Sequence, residues 1–190
     1  VRDWRVIPLL RGKPDTHAHD DARRVARERL GLAQDDFVVC SFGMLGSTKL
    51  NDELLDAFLA SPLGRDPHCK LVFVGENEPQ QYGSTLKHKI EHGSAAKRIS
   101  ITGFVNAGAY ADYLAACDCA VQLRSSTRGE TSASVLDCLL FGIPTIVNAH
   151  GSTASLDPRM LCMLPDRFEI AQLADALARI RADAALRERL

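Results

Sequence analysis

The chain has 190 residues, 46% of them apolar and 25% charged, with a formal net charge of −1. That length supports one well-filled core, and the near-zero charge excludes a general electrostatic affinity for nucleic acid or anionic membrane, so any anion site must be local. No apolar run approaches the length of a membrane span, and residues 1–11 lack the apolar core and cleavage site of a signal peptide.

Residues 1–20 contain Pro8, Gly12 and Pro14 and read as a linker entering a domain that fills 21–190. With no initiator Met, the chain is expected to be a fragment or a processed product. Residues 22–30 form a charged amphipathic helix stopped by Gly31. The apolar run 37–42, ending at Gly43, predicts a buried strand. Residues 51–60 place Leu54, Leu55, Phe58 and Leu59 on one helical face. Further strands are predicted at 70–74, 99–102, 119–123, 144–147 and 161–164. Between and after them, helices are predicted at 82–92, 109–116, 134–141 and 168–180, with helix continuing over 184–190. Continuously apolar strands alternating with helices give an α/β, Rossmann-like doubly wound parallel sheet of about six strands. Ligands then bind at the carboxyl ends of the strands. The six cysteines form no C-x-x-C pair and sit mostly in apolar stretches, as expected of reduced buried thiols in a cytoplasmic protein.

Two loops at that sheet edge hold chemistry-bearing residues. The first runs from Gly43 through Gly46 to Lys49. Its glycines let backbone approach a ligand and Lys49 can reach a diphosphate, although a plain strand–helix turn with a solvated lysine fits equally. The spacing is not that of a P-loop. The second loop, 123–134, gathers Arg124, Arg128, Gly129, Glu130, Thr131, Ser132 and Ala133 before a helix. Free N–H groups and the helix dipole there favour a phosphate; alternatively Thr131 or Ser132 only caps the helix and Glu130 only complements the dipole. Asp137 interrupts an apolar helical pattern, seven residues after Glu130. If the helix begins early, the two carboxylates share a face and suit hydroxyl-rich ligands; an ordinary exposed face residue is the other reading. Asn148 to Ser152 lie at the same sheet end, where His150 alone is weak support for a base. No metal-ligand spacing and no nucleophile elbow were found.

In order and spacing, these segments resemble the C-terminal domain of the GT-B-fold, family 4 retaining glycosyltransferases over nearly the whole chain. Residues 37–49 are similar to the family's strand and G-R-L-x-x-x-K loop, 71–75 to the next strand and its glycine, and 99–105 to its V-x-F-x-G-x-V segment. Residues 118–147 resemble the run E-G-F-G-x-P-x-L-E-A-x-A-x-G-x-P-V-V, with Gly142 and Pro144 matching its end. The resemblance implies a donor-binding domain for a nucleotide-diphospho-sugar, either UDP- or GDP-linked, without cofactor or metal. Gly43 and Lys49 then bind the diphosphate, Asp137 the ribose, and Thr131, Ser132 and Ala133 offer backbone N–H groups to the donor. Glu130 becomes the candidate catalytic acid facing the donor sugar. The chain departs from the pattern in three places. Met44 replaces a phosphate-binding arginine, whose charge Arg124 or Arg128 would supply. Glu130 lies one residue closer to Asp137 than the family's acid pair, and the second acid is Asp rather than Glu. The G-E-T-S at 129–132 is similar to a bacterial branch, in which that shift is a subfamily trait. A glycan or lipid-linked acceptor would sit on an N-terminal domain absent from this chain, with peripheral membrane association through that half, polysaccharide biosynthesis as the setting and no nucleic-acid partner. The isolated domain is expected to be inactive. The alternatives are a degenerate, non-catalytic nucleotide-sugar module or another GT-B enzyme such as a sugar-nucleotide epimerase.

Overall fold

The computed structural model describes residues 19–190, with side chains from Asp21 onward. The expected linker at 1–20 therefore lies, up to residue 18, outside the described residues, and the first helix starts at His19 rather than at 22. The helices are α1 (His19–Leu30), α2 (Asn51–Ala60), α3 (Gln81–Glu91), α4 (Ala107–Ala116), α5 (Ala133–Leu140), α6 (Ile170–Ala182) and α7 (Ala184–Arg189). The strands are β1 (Phe37–Phe42), β2 (Cys69–Val74), β3 (Ile99–Ile101), β4 (Cys119–Gln122), β5 (Thr145–Asn148) and β6 (Cys162–Leu164).

All six strands are parallel and pair in the order β3-β2-β1-β4-β5-β6. β1 explains why an unbroken apolar run makes a strand here. Its side chains alternate, Phe37 and Val39 entering one core and Val38, Cys40 and Phe42 the other, so every position is buried. The first core packs Leu54, Leu55 and Phe58 of α2 against Leu173, Leu177 and Ile180 of α6, with Leu86 and Ile90 of α3 beside them. The second packs Leu114 of α4 and Cys138 of α5 against Val72 and Val74. Each fully buried Leu, Ile or Phe contributes roughly 1.5–3 kcal/mol of transfer free energy. Five of the six cysteines are buried and all are free thiols; burial pushes the Cys40, Cys119 and Cys138 thiols up.

The strand order reverses between β1 and β4, because successive crossovers from β1 lead outward to β2 and β3 and those from β4 lead the other way to β5 and β6. In an open α/β sheet the crevice outside the carboxyl ends of such a strand pair is the ligand position. The loops that leave β1 and β4 flank it, and they are the two polar loops of the sequence.

Candidate functional site

The β1–α2 loop is built to bring a lysine back over its own strand. Gly43 leaves β1 with φ 108°, a conformation that L side chains rarely adopt. A Cβ on Gly43 would lie 3.5 Å from the Lys49 ammonium, so the amine rests against bare backbone. The neighbouring loop closes tightly on this one, since a Cβ on Gly75 would fall within 2.1 Å of the Gly43 carbonyl oxygen. Lys49 ends a short 3-10 turn, and Leu50 follows with φ 52°, the one described non-glycine residue with a positive φ. The strain is held by what comes next. The Tyr82 hydroxyl of α3 accepts the backbone N–H groups of Asn51 (3.0 Å) and Asp52 (3.2 Å) and donates to the Asp52 carboxylate (2.9 Å). The Asn51 side chain in turn accepts the Gly46 N–H at 3.2 Å. Tyr82 thus caps α2 from another helix, two residues after Lys49.

The β4–α5 loop is anchored from β5. Asn148, 1% exposed, accepts the Arg124 N–H (2.8 Å) and donates to the carbonyls of Arg124 (2.7 Å) and Asp166 (3.1 Å). Ser125 N–H donates to the Thr48 carbonyl at 3.0 Å, which ties the two polar loops together across the crevice. Farther along, the Glu130 carboxylate turns back on its own loop. It accepts the Arg128 N–H at 2.7 Å and the Thr127 hydroxyl at 3.3 Å, and it stands 3.6 Å from the Arg124 guanidinium. Its own backbone N–H first, then that of Arg128, with Thr127 and Arg124 adding, holds its carboxyl below the usual carboxylate range. Lys49 is half-buried, and desolvation first, then repulsion from Arg124, lowers it to about 8, with Glu130 opposing. Gly43, Lys49, Arg124 and Glu130 therefore converge on one spot.

The remaining sequence candidates are placed as follows. Arg128 contributes its backbone N–H to that spot and its side chain is exposed. Thr131 is exposed. Ser132 holds the N-cap position of α5, yet its hydroxyl meets Ser134 Oγ at 3.3 Å and caps nothing, so the helix that starts at Ala133 keeps an uncapped N-terminus at the sheet edge. Because α5 starts at Ala133, Glu130 lies outside the helix and does not share a helical face with Asp137. Asp137 turns toward α4 instead, accepting the Tyr110 hydroxyl at 3.2 Å, and Tyr110 packs edge-on to Phe42 at the end of β1. His150 meets Asp166 at 2.6 Å beside Arg124, Glu53 and Phe168 in a hollow next to the crevice. Among the described residues, one grouping of three potential metal ligands occurs, Asp35, Asp36 and His68. It lies at the amino ends of β1 and β2, the far edge from this site, and Asp36 already pairs with Lys70 at 2.5 Å.

Sequence reasoning missed Tyr82 and Gln122, and it placed Asn148 at this sheet end without its anchoring bonds. Gln122 is 4% exposed and, with its amide turned to satisfy its neighbours, bridges the Phe42 backbone and the Ser134 hydroxyl. A polar residue ending an apolar strand, as Gln122 and Asn148 do, was a usable signal. Tyr82 had none, since its role depends on α3 packing beside α2.

The model of the glycosyl transferases group 1 family matches residues 22–190. The chain belongs to this family. As a group 1 glycosyl transferase domain it shares its fold with solved structures at low identity. The C-terminal domain of a glycosyl transferase group 1 family protein from Francisella tularensis is 19% identical over 88% of this chain and 86% of that one, with a TM-score of 0.76. HepE from Anabaena, solved in complex with UDP-glucose, is 20% identical over 91% of this chain and 47% of that one, with a TM-score of 0.72. Sucrose-phosphate synthase from Thermosynechococcus elongatus is 21% identical over 87% of this chain and 41% of that one, with a TM-score of 0.73. The group 1 domain thus spans less than half of those two longer chains and corresponds to the C-terminal domain of a GT-B fold. No curated protein sequence matches it significantly. No described helix is long and apolar enough to cross a membrane.

Proposed function

We propose that this domain binds the donor of a retaining, family 4 type glycosyltransferase, holding a nucleotide-diphospho-sugar whose sugar passes to a glycan or lipid-linked acceptor. The observation that carries this reading is the convergence of Lys49 and Arg124 at the β1/β4 switch point, on two loops joined by the Ser125–Thr48 hydrogen bond. Arg124 supplies there the charge that Met44 does not; Met44 is itself 60% exposed on the rim. As the glycosidic bond breaks, negative charge grows on the leaving nucleoside diphosphate. Two preorganised cations and the uncapped N-terminus of α5 stabilise that charge more than they stabilise the ground state. Asp137 and Tyr110, beside the end of β1, take the ribose hydroxyls, and Glu130 faces the donor sugar. HepE, solved with UDP-glucose, supports a uridine donor over a guanosine one. The acceptor binds an N-terminal domain, so this chain alone binds donor weakly and transfers nothing, and we place the whole enzyme in the cytoplasm, peripheral to the membrane at most.

Calorimetric titration of the chain with UDP, GDP and their sugar conjugates tests this. One nucleotide should bind, at least tenfold more weakly in Lys49→Ala. Failure of both the folded chain and its Glu130→Gln variant to bind any of them, or a Lys49→Ala mutant that binds as tightly as wild type, would overturn the reading.

A further inference from the structure

The Glu130 carboxylate sits in a ring of donors of the kind a phosphate takes. The Arg128 N–H at 2.7 Å and the Thr127 hydroxyl at 3.3 Å reach one oxygen, and the Arg124 guanidinium stands 3.6 Å from the other. The Thr127 hydroxyl also accepts the Gly129 N–H at 3.0 Å, and Gly129, with φ 88°, makes the reversal that folds the side chain back. Lys49 stands on the facing loop, which the Ser125–Thr48 hydrogen bond ties to this one, and it feels the charges of Arg124 and Glu130. A backbone N–H on a sharply turned loop, a hydroxyl and a guanidinium compose an anion nest. Glu130 is the one acidic residue between Leu123 and Ser132.

We propose that Glu130 is the internal occupant of the donor's phosphate position, and that a nucleoside diphosphate binds by displacing its carboxylate from Arg124 and the Arg128 N–H. The inference rests on the donor-site reading above and adds to it a direction of change. Both anions cannot hold the same donors, because a diphosphate would meet the carboxylate at contact range and repel it. The side chain is free to leave, being 47% exposed, while the backbone stays fixed by the Ser152 hydroxyl, which donates to the Glu130 carbonyl at 2.9 Å. Once displaced, the carboxylate turns from the phosphate position toward the donor sugar. Until then it pairs with Arg124, whose charge repels Lys49.

The test is the sign of one substitution. Glu130→Gln keeps the size and removes the charge. By titration of this chain with UDP or GDP, whichever binds, the variant should bind roughly two- to fivefold more tightly than wild type, the range of an exposed ion pair. The corresponding nucleoside, which carries no phosphate, should show no gain, and thermal unfolding checks that both proteins are folded. If wild type binds the diphosphate and Glu130→Gln binds it equally or more weakly, the displacement is wrong while the donor site stands. Binding by the variant alone supports the displacement in its strongest form. If neither protein binds any nucleoside diphosphate, both readings fall.

Discussion

The two edges of the sheet use the same residue types to opposite ends. At the amino edge, Arg27 is fully buried, and its guanidinium donates to the carbonyls of Ala33, Gln34, Asp36 and Ala116 and to the Asp118 carboxylate at 2.7 Å. Asp118 in turn accepts the Val38 N–H at 2.7 Å and pairs with Arg23 at 2.5 Å. The donors of Arg27 and the oxygens of Asp118 are met within the protein. At the carboxyl edge, Lys49 and Arg124 face one half-exposed carboxylate, and α5 begins without a side-chain cap. Charge consumed by the fold is costly to strip of its partner; charge left over at a strand-order reversal is available to a ligand.

Breaking the amino edge should have the largest effect. Arg27→Met strips four carbonyls of a buried donor and leaves Asp118 with only Arg23 and the Val38 N–H, which costs about 3 kcal/mol. Chemical denaturation would show it as a fall in midpoint without a change in slope. Nucleotide affinity per folded molecule should be unchanged, since the network lies at the opposite edge. A loss below about 1 kcal/mol would remove the contrast between the edges.

The carboxyl edge should respond to pH instead. Lys49 titrates near 8 in the domain against an ordinary 10.5, and a bound diphosphate raises it again. Above pH 8, binding therefore takes up a proton, and affinity should fall with rising pH, by up to about tenfold per unit until the pKa of the complex is reached. The stability term has the opposite sign. Between about 8 and 10.5 the folded chain holds fewer protons than the unfolded one, so the contribution of Lys49 to stability rises with pH. Titrations from pH 6.5 to 9.5 check the first, and a flat profile would separate Lys49 from the anion. Lys49→Arg, charged throughout, should flatten it.

Much of the first comparison was legible in the sequence. Unbroken apolar runs such as 37–42 announce strands buried on both faces, and glycines after them mark the loops. The same logic located both polar loops, but the choice between Arg124 and Arg128 as the charge beside Lys49 stayed open in the sequence. What could not be read was anything that depends on one element meeting another. Arg27 falls in a charged amphipathic helix in the sequence, and with Asp118 it becomes the best-buried pair of the amino edge. Asp137 looked like a partner of Glu130 by spacing, but the helix starts three residues too late for that.

Between the edges in expected size lies the α2 cap. Tyr82→Phe removes the acceptor of the Asn51 and Asp52 N–H groups beside the strained Leu50. About 1 kcal/mol of stability should go. Because Lys49 ends the turn just before that cap, nucleotide affinity should also weaken by a few-fold. A stability loss with unaltered binding would make Tyr82 a structural cap alone and return the positioning of Lys49 to Gly43 and Gly75.

The smallest effect belongs to the acid next to that cap. Glu53 is pushed up to about 7, first by burial and then by its hydrogen bond with Asp52, while a neighbouring Asp52 is held down. A protonated Glu53 donating to Asp52 accounts for this and gives a use to an oxygen that otherwise has no partner. The folded chain then holds more protons than the unfolded one between pH 4.5 and 7, so this group favours the fold below that window and loses its contribution as pH rises through it. Glu53→Gln keeps a donor at every pH. Its melting temperature should match wild type at pH 5 and exceed it by about 2–4 °C at pH 8, the shift expected for about 1 kcal/mol in a domain of this size. An equal shift at both pH values would mean that the amide repacks the hollow beside Arg124 rather than replacing a shared proton. That outcome would leave the α2 end of the site, like the amino edge, a matter of packing rather than of titration.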